Sequence, residues 1–319
     1  MQPELVCPTC RDVLVHHPDA LRCPGPCRRT FPVVAGIPDL RVHGDAYLSL
    51  EDDRAKARAL AEVPGDFETV LRAYWASTPE VPDELARRYI ATALDATRRG
   101  ERQLDRLGAI DGPVLDIGCG TGGLLVAAAR RATPVTGVDI ALRWLVVARR
   151  RLEDEGIVAQ LVAADGALLP FREATFATVC CIEVIEHAAD QRGLLHWCLA
   201  AARPGGQAYA VVANRFSLAP EPTVGLWLVG YLPRRWAAGY VAWRRTTRYQ
   251  HFRALSRHEL RALLGAGTAA LVGPAVLPAV PASAAASTRA LDRVYHQLRL
   301  RPLAKRALGA ITPYLEVLR

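Results

Sequence analysis

A short apolar run that leads into a cluster of glycines is the feature of this chain that most constrains its fold. Residues 113–117 form the run, four glycines follow within residues 118–123, and residues 124–131 have the apolar spacing of a helix. Glycine lets a ligand approach the main chain closely, and open α/β sheets bind ligands at the carboxyl ends of their strands. The pattern therefore predicts a strand, a turn and a helix, with a nucleotide-like ligand on the turn.

The same alternation continues along the chain. Asp139 closes the second predicted strand, where a carboxylate can accept hydrogen bonds from both hydroxyls of a ribose. Asp165 follows the third, and a Gly-Gly turn at 205–206 leads into the fifth. The second to fifth predicted strands cover residues 134–138, 158–163, 176–182 and 207–213.

The turn Asp116-Ile117-Gly118-Cys119-Gly120-Thr121-Gly122 resembles motif I of the class I methyltransferases that use S-adenosylmethionine (SAM), and the resemblance extends over residues 107–213. It implies an α/β, Rossmann-like sheet of seven strands, with ribose bound by Asp139 and the adenine amino group by Asp165. The rival from another class, an NAD-dependent dehydrogenase, would need a hydride-transfer constellation that is not evident here. The cofactor-binding residues that the resemblance implies are Asp116, Gly118, Cys119, Gly120, Gly122, Asp139, Ile140, Asp165, Gly166, Ala167, Ile182 and Glu183.

Two close cysteine pairs lie near the N-terminus, Cys7 with Cys10 and Cys23 with Cys27. Four thiolates from two such knuckles can hold one zinc ion tetrahedrally, and a segment this small needs a metal to fold. Two reactive dithiols are the alternative, which the lack of a surrounding βαβ pattern disfavours. The segment resembles the zinc ribbons of 23S rRNA guanine methyltransferases, with Cys27 where those enzymes typically have histidine. We expect a structural Zn²⁺.

The sequence predicts three parts: a zinc-ribbon module at 1–44, a helical cap at 45–107, and a methyltransferase domain at 108–319. Within the last part, residues 214–255 form a predicted lid insertion. Apolar spacing predicts cap helices at 51–62, 64–76 and 83–107. The predicted elements of the C-terminal region are a helix at 256–264, a sixth strand at 268–277, a basic helix at 290–308 and a seventh strand at 314–318.

Glu183, Glu186 and His187 follow the fourth predicted strand and are the candidate catalytic residues. His187 is a candidate general base, since imidazole titrates near neutral pH. The three side chains resemble the Glu-x-x-Glu-His element of small-RNA 2′-O-methyltransferases and ubiquinone-pathway O-methyltransferases, which leaves open a divalent metal there, with His251 as a further ligand. A structural role, in which Glu183 packs near the cofactor and His187 orients a helix, is the third interpretation.

The acceptor must be inferred from the basic C-terminal part. After Ala213 the chain has 16 basic and 4 acidic residues, against 24 and 28 before it. Aromatic and arginine side chains share the predicted lid, a mixture that suits a small-molecule acceptor, RNA or the surface of a membrane. We expect O-methylation of a small molecule, such as a specialised metabolite or a sugar. The alternatives are RNA methylation and a SAM-binding scaffold without catalysis.

The N-terminal residues lack the pattern of a signal peptide, and prolines and glycines interrupt the uncharged stretch at 262–288. These features predict a cytoplasmic protein without a transmembrane segment. Its eight cysteines are then expected to be thiols or metal ligands.

Overall fold

The computed structural model describes residues 2–131, 134–221, 223–245, 249–265, 268–275, 293–295, 297–298 and 301–319. Two compact units are present. The first comprises Met1–Cys180 and Trp197–Gln207, and the second comprises Cys181–His196 and Ala208–Arg319. Among these residues, no helix is long and apolar enough to cross a bilayer.

The N-terminal segment forms a four-stranded antiparallel sheet in the order β1-β2-β3-β4. Ala35 and Gly36 both have positive φ, at 49° and 74°, and this tight turn joins the last two strands. The buried apolar side chains of its strands are Leu21, Phe31, Val34 and Ile37. The strands are β1 (Val15–His17), β2 (Ala20–Arg22), β3 (Thr30–Val34) and β4 (Ile37–Pro38).

Four helices follow: α1 (Leu50–Ala61), α2 (Phe67–Ala76), α3 (Asp83–Leu94) and α4 (Ala96–Asp105). The first two confirm the predicted cap helices, and side-chain oxygens of Ser49 and Asp66 cap their N-termini. The prediction of one helix over 83–107 is wrong, since the chain turns at Asp95 between α3 and α4. Helical spacing continues through such a turn, so the apolar pattern does not reveal it.

The seven-stranded sheet has the order β10-β11-β9-β8-β5-β6-β7, which confirms the predicted fold class. β5, β6 and β7 pair in parallel, while β11 is antiparallel to both β9 and β10. Its strands are β5 (Val114–Ile117), β6 (Val135–Asp139), β7 (Ala159–Ala163), β8 (Phe176–Ile182), β9 (Ala202–Ala213), β10 (Leu271–Pro274) and β11 (Tyr314–Leu318). The helices between them are α5 (Gly123–Ala129), α6 (Leu142–Asp154) and α7 (Gln191–Ala200).

The segment after β4 joins the outer strand of this sheet. Asp39 forms a parallel bridge with Ala163 of β7, and the Leu40 N–H donates to the Ala163 carbonyl at 2.8 Å. The N-terminal module and the β5–β7 part of the sheet are therefore hydrogen-bonded to each other within the first unit.

The C-terminal region contains α8 (Arg234–Arg244), α9 (Arg257–Leu264) and α10 (Pro302–Ile311). Ser256 and Glu259 form a capping box at the start of α9, as predicted. The prediction of one helix over 290–308 is wrong in its described part, because a new helix begins at Pro302, a residue that favours the first helical turn. Residues 276–277 of the predicted sixth strand and residues 290–292, 296 and 299–300 of the predicted basic helix lie outside the described residues.

Candidate functional site

The turn after β5 is held by the neighbouring strand. The N–H groups of Gly118 and Cys119 both donate to the Val138 carbonyl, at 2.7 and 3.0 Å. Gly120 has a φ of 48°, a left-handed conformation that favours glycine, and a Cβ placed on it would meet no atom within 4 Å. Gly122, with a φ of 76°, precedes the first residue of α5. At Gly120 the turn thus presents bare backbone toward open space.

Asp139 ends β6 and connects this turn to the following loop. Its carboxylate accepts the Gly120 N–H and the Ala141 N–H, each at 2.8 Å. Burial raises the pKa of Asp139, against these two hydrogen bonds and the charge of Arg143, which lower it. A carboxylate held between two backbone loops is the kind of rigid acceptor that a sugar hydroxyl can use.

Two of the predicted cofactor-binding residues, Asp116 and Cys119, are buried. Asp116 is 4% exposed, and burial, with the charge of Asp139, raises its pKa to about 8. Cys119 is 7% exposed. Its Sγ lies close to Gly137 of β6, since a Cβ added to that glycine would be 2.9 Å from the sulfur. The side chain of Cys119 packs against β6, so contact between Cys119 and a ligand would come from its backbone.

Asp165 follows β7 and caps a short 3₁₀ turn, Gly166–Leu168, by accepting the Ala167 N–H at 2.8 Å. Its other oxygen lies 3.1 Å from Nε2 of His43, a residue that the sequence did not single out. Asp139 ends β6, and Asp165 lies two residues after the end of β7, as predicted. Ile140, between Asp139 and Ala141, contributes its carbonyl to a different set of contacts.

A buried network of charges surrounds that carbonyl. Arg41 donates to the Ile140 carbonyl at 2.7 Å and to the Asp39 carboxylate at 2.7 Å. Asp53 of α1 accepts the Leu142 N–H at 2.8 Å and a guanidinium N–H of Arg143 at 2.7 Å. The loop after Asp139 is therefore held by the N-terminal module and by α1. No local sequence pattern identifies this network, because its members are distant in sequence and belong to no motif.

The four N-terminal cysteines converge. Sγ–Sγ distances are 3.4 Å for Cys7 and Cys27, 3.2 Å for Cys10 and Cys23, and 3.5 Å for Cys10 and Cys27. Tetrahedral Zn–S bonds of about 2.3 Å imply Sγ–Sγ distances of about 3.8 Å, so the group fits a metal after a small expansion. Within the described part of the chain it is the one group of His, Cys, Asp or Glu that could hold a metal ion.

In the second unit, Glu186 and His187 of the acidic-histidine cluster have different partners. Glu186 is 2% exposed; it accepts the Ala213 N–H at 3.2 Å through Oε1, and burial raises its pKa to about 8. The ring of His187 turns instead to the backbone of His251 and lies 5.2 Å from the ring of Phe252. The divalent metal that the sequence leaves open on Glu183, Glu186 and His187 gains no support from this geometry, since these residues are not among the described residues whose ligand atoms all lie within 4.8 Å of one another.

Two other properties of His187 and Glu183 are relevant to catalysis. Surrounding protein atoms lower the pKa of His187, although its side chain reaches solvent, so the neutral imidazole is favoured at neutral pH. Glu183, next to Ile182 at the end of β8, has a φ of 58° and donates its N–H to the Val211 carbonyl at 2.8 Å. Strained backbone of this kind is concentrated at functional sites.

A cavity of about 230 Å³ lies in the second unit, and Glu221 forms part of its wall. Oε2 of Glu221 accepts the N–H groups of Thr223 and Val224, while its Oε1 is buried and has no hydrogen-bond partner among the described residues. Tyr249 and Phe252 supply aromatic surface to the same cavity. No local sequence pattern identifies Glu221, although it is one of only four acidic residues after Ala213.

The predicted lid divides into a core and an exposed face. Leu226, Val229, Ala237 and Val241 form its buried cluster. Three tryptophans are instead exposed, and the guanidinium groups of Arg235 and Arg244 lie 5.1 and 5.4 Å from the neighbouring Trp236 and Trp243 rings. The exposed fractions are 58% for Trp227, 57% for Trp236 and 76% for Trp243.

Comparison with known proteins gives a family match over part of the chain. Residues 114–206 match a family model described as a methyltransferase domain. A ubiquinone biosynthesis O-methyltransferase from Idiomarina loihiensis is 35% identical over 149 residues, which cover 46% of this chain and 57% of that protein. One from Methylocella silvestris is 34% identical over 165 residues, covering 51% and 61%. The chain thus spans less than two thirds of the length of these relatives.

Among solved structures, the phosphoethanolamine N-methyltransferase 2 of Haemonchus contortus in complex with SAM is 17% identical. The match covers 69% of this chain and 51% of that one, with a TM-score of 0.45.

Proposed function

Since the chain carries a class I SAM-dependent methyltransferase domain, we propose that it transfers the methyl group of SAM to a hydroxyl oxygen of a small molecule. The observation that carries the proposal is the pairing of the bare glycine turn with Asp139. The Gly120 backbone faces open space while its N–H is fixed by the Asp139 carboxylate. This arrangement offers a cradle for a nucleoside beside a buried acceptor for its ribose.

The residues present fit SAM. Asp139 would accept the ribose hydroxyls, Asp165 would accept the adenine amino group, and the Gly118–Gly122 backbone would face the amino-acid portion of the cofactor. SAM supplies an electrophilic methyl group on its sulfonium. The chain contributes proximity and orientation, which can account for much of the acceleration of a bimolecular displacement.

His187 is proposed as the group that takes the proton of the acceptor hydroxyl. Its lowered pKa keeps the imidazole neutral, the form that accepts a proton. Phe252 connects His187 to the cavity, because its ring packs against His187 and also lines the cavity, as Glu221 does. Glu221 would bind a hydroxyl or amine of the acceptor through its buried Oε1, which no other described residue contacts by a hydrogen bond.

The cavity supports a small acceptor, and the similarity to O-methyltransferases supports oxygen as the methylated atom. Incubation with methyl-labelled SAM and size-fractionated cell extract tests this assignment. We expect label in a low-mass organic fraction, and loss of at least tenfold in that transfer for His187→Ala. Label that appears only in macromolecules would contradict it.

RNA methylation is a second candidate because of the exposed tryptophans and arginines of α8. It predicts RNA binding that weakens with salt and when Arg244 and Arg245 are neutralised. The non-catalytic scaffold predicts SAM binding without consumption in any extract fraction. The labelling experiment separates all three.

For the four cysteines we propose a structural zinc ion, because four protein ligands leave no open position. Metal analysis of the purified protein should give about one zinc per chain. Cys10→Ser should lower both the zinc content and the temperature of unfolding, whereas Cys198→Ser, at a buried cysteine outside the cluster, should leave the zinc content unchanged. A wild-type zinc content far below one per chain would exclude the site.

A further inference from the structure

Arg11 occupies a position in the first cysteine knuckle that favours glycine. It directly follows Cys10, its N–H donates to the Cys7 carbonyl at 2.9 Å, and its φ is 68°. Residues with a side chain rarely adopt this left-handed conformation, because the Cβ crowds the following carbonyl. Arg11 therefore has a strained backbone conformation in the knuckle.

The side chain of Arg11 reaches a segment far along the chain. One guanidinium nitrogen donates to the Leu169 carbonyl at 2.6 Å, and the other donates to the Phe171 carbonyl. The guanidinium also lies 4.5 Å from the ring centroid of Trp197. Val6, just before the knuckle, donates its N–H to the Pro170 carbonyl at 2.9 Å. Three successive carbonyls of this segment are thus held by the N-terminal module.

The segment is the continuation of the proposed adenine loop. Asp165 caps the 3₁₀ turn Gly166–Leu168, and Leu169 follows directly. Leu169 and Phe171 are fully buried, so packing fixes their side chains. Arg11 fixes their carbonyl groups. The backbone that positions the Asp165 carboxylate therefore depends on contacts from the cysteine module.

From this geometry we infer that the cysteine module is a working part of the cofactor site, and that Arg11 is a positioning residue for adenine recognition. The inference rests on the proposed function, because it takes Asp165 as the acceptor for the adenine amino group. The knuckle holds Arg11, Arg11 holds residues 169–171, and these hold the turn that begins at Asp165. Metal content and cofactor affinity are then linked properties of this chain.

The test is Arg11→Gly, which removes the side chain and relieves the backbone strain. The matched control is Arg28→Gly: Arg28 follows Cys27 in the second knuckle, has a φ of 50° and is exposed. Binding of S-adenosylhomocysteine and of S-inosylhomocysteine, whose base lacks the amino group, is measured by calorimetry on the zinc-loaded full chain. Zinc content and the unfolding temperature are recorded alongside.

We expect Arg11→Gly to weaken S-adenosylhomocysteine binding at least tenfold, with zinc content retained. The preference for the adenine over the hypoxanthine base should fall by a similar factor. Arg28→Gly should bind like wild type, and Arg11→Lys, which keeps one charged donor, should be intermediate. If Arg11→Gly does not fold, the base preference of Arg11→Lys alone decides, and a wild-type preference there overturns the inference.

Two further outcomes overturn the inference. Unchanged binding by Arg11→Gly would show that the loop does not need the module, and an equal loss for both ligands would show that Arg11 does not act on adenine recognition. In both of these cases the wild-type protein still binds S-adenosylhomocysteine. Failure of the wild-type protein to bind it at all would instead refute the proposed function, and the inference with it.

Discussion

At the residue scale, the carboxylates at strand ends were predictable and their partners were not. Asp139 and Asp165 were identified because each follows an apolar strand at a fixed place in a repeating order. Arg11 and Asp53 were not, since each acts through residues more than eighty positions away. Local patterns encode where a strand ends, whereas the contacts that orient its last side chain form only on folding.

Asp139→Asn tests the carboxylate that fixes the glycine turn. An asparagine oxygen replaces one acceptor, but its NH₂ would face one of the two backbone N–H groups that the carboxylate now accepts. We expect S-adenosylhomocysteine to bind about tenfold more weakly, or about 1.4 kcal/mol. Calorimetry is the measurement, with Asp111→Asn as an exposed control. Equal affinity for both variants would argue against a role of Asp139 in binding.

Glu186→Gln tests the buried acid of the second unit. Its folded pKa of about 8 exceeds the ordinary 4.5, so the folded state keeps a proton that the unfolded state releases between these values. The Glu186 contribution to stability is therefore fully present below pH 4.5 and is lost as pH rises through 8. At pH 8.5 the glutamine variant should be the more stable by on the order of 1–3 kcal/mol, and near pH 5 the difference should be much smaller.

Urea unfolding at both pH values measures this difference. Glu259→Gln provides a contrast of opposite sign. The backbone of Ser256 and the side chain of Arg234 outweigh burial and lower the pKa of Glu259 to about 2, so its contribution is present above pH 4.5. Glu259→Gln should then be less stable than wild type at pH 8.5. A Glu186→Gln variant that is destabilised equally at both pH values would contradict the assignment of a protonated acid.

At the element scale, helices and strands with strong periodicity were predicted and their junctions were not. α1 and α2 match their predictions because apolar spacing and a side-chain cap coincide there. The turn at Asp95 was missed because the packing of α4 against α5 is not visible in local spacing. Gly100 marks that packing: a Cβ there would lie 2.9 Å from the Leu124 Cα.

Gly100→Ala and Gly239→Ala form a matched pair within helices. At Gly100 the added methyl meets backbone, so we expect a loss of about 1–3 kcal/mol in the free energy of unfolding. At Gly239 in α8 a Cβ meets no atom within 4 Å, so the helix preference of alanine should add up to about 1 kcal/mol. Chemical unfolding of both variants checks this. Equal effects at the two positions would mean that the α4–α5 approach is looser than described.

At the scale of the whole molecule, the order of elements predicted the sheet, while the acceptor was beyond the reach of the sequence. The uneven charge, with 16 basic and 4 acidic residues after Ala213, suits several classes of partner. What favours a small molecule is the cavity with Glu221, which forms from side chains brought together by the fold of the second unit. The match to the methyltransferase domain family covers 114–206 and does not extend to these residues.

The hydrogen bond from Leu40 to Ala163 has a consequence for the tendency of the protein to aggregate. It occupies part of the outer side of β7, and a bare strand at the rim of a sheet is a template for pairing with another chain. A chelator that strips the proposed zinc should loosen this cover and make the protein self-associate in a concentration-dependent way, as light scattering would detect. The cysteine module would then protect the protein from aggregation. A protein that stays monomeric after the chelator has removed its zinc would disprove this role.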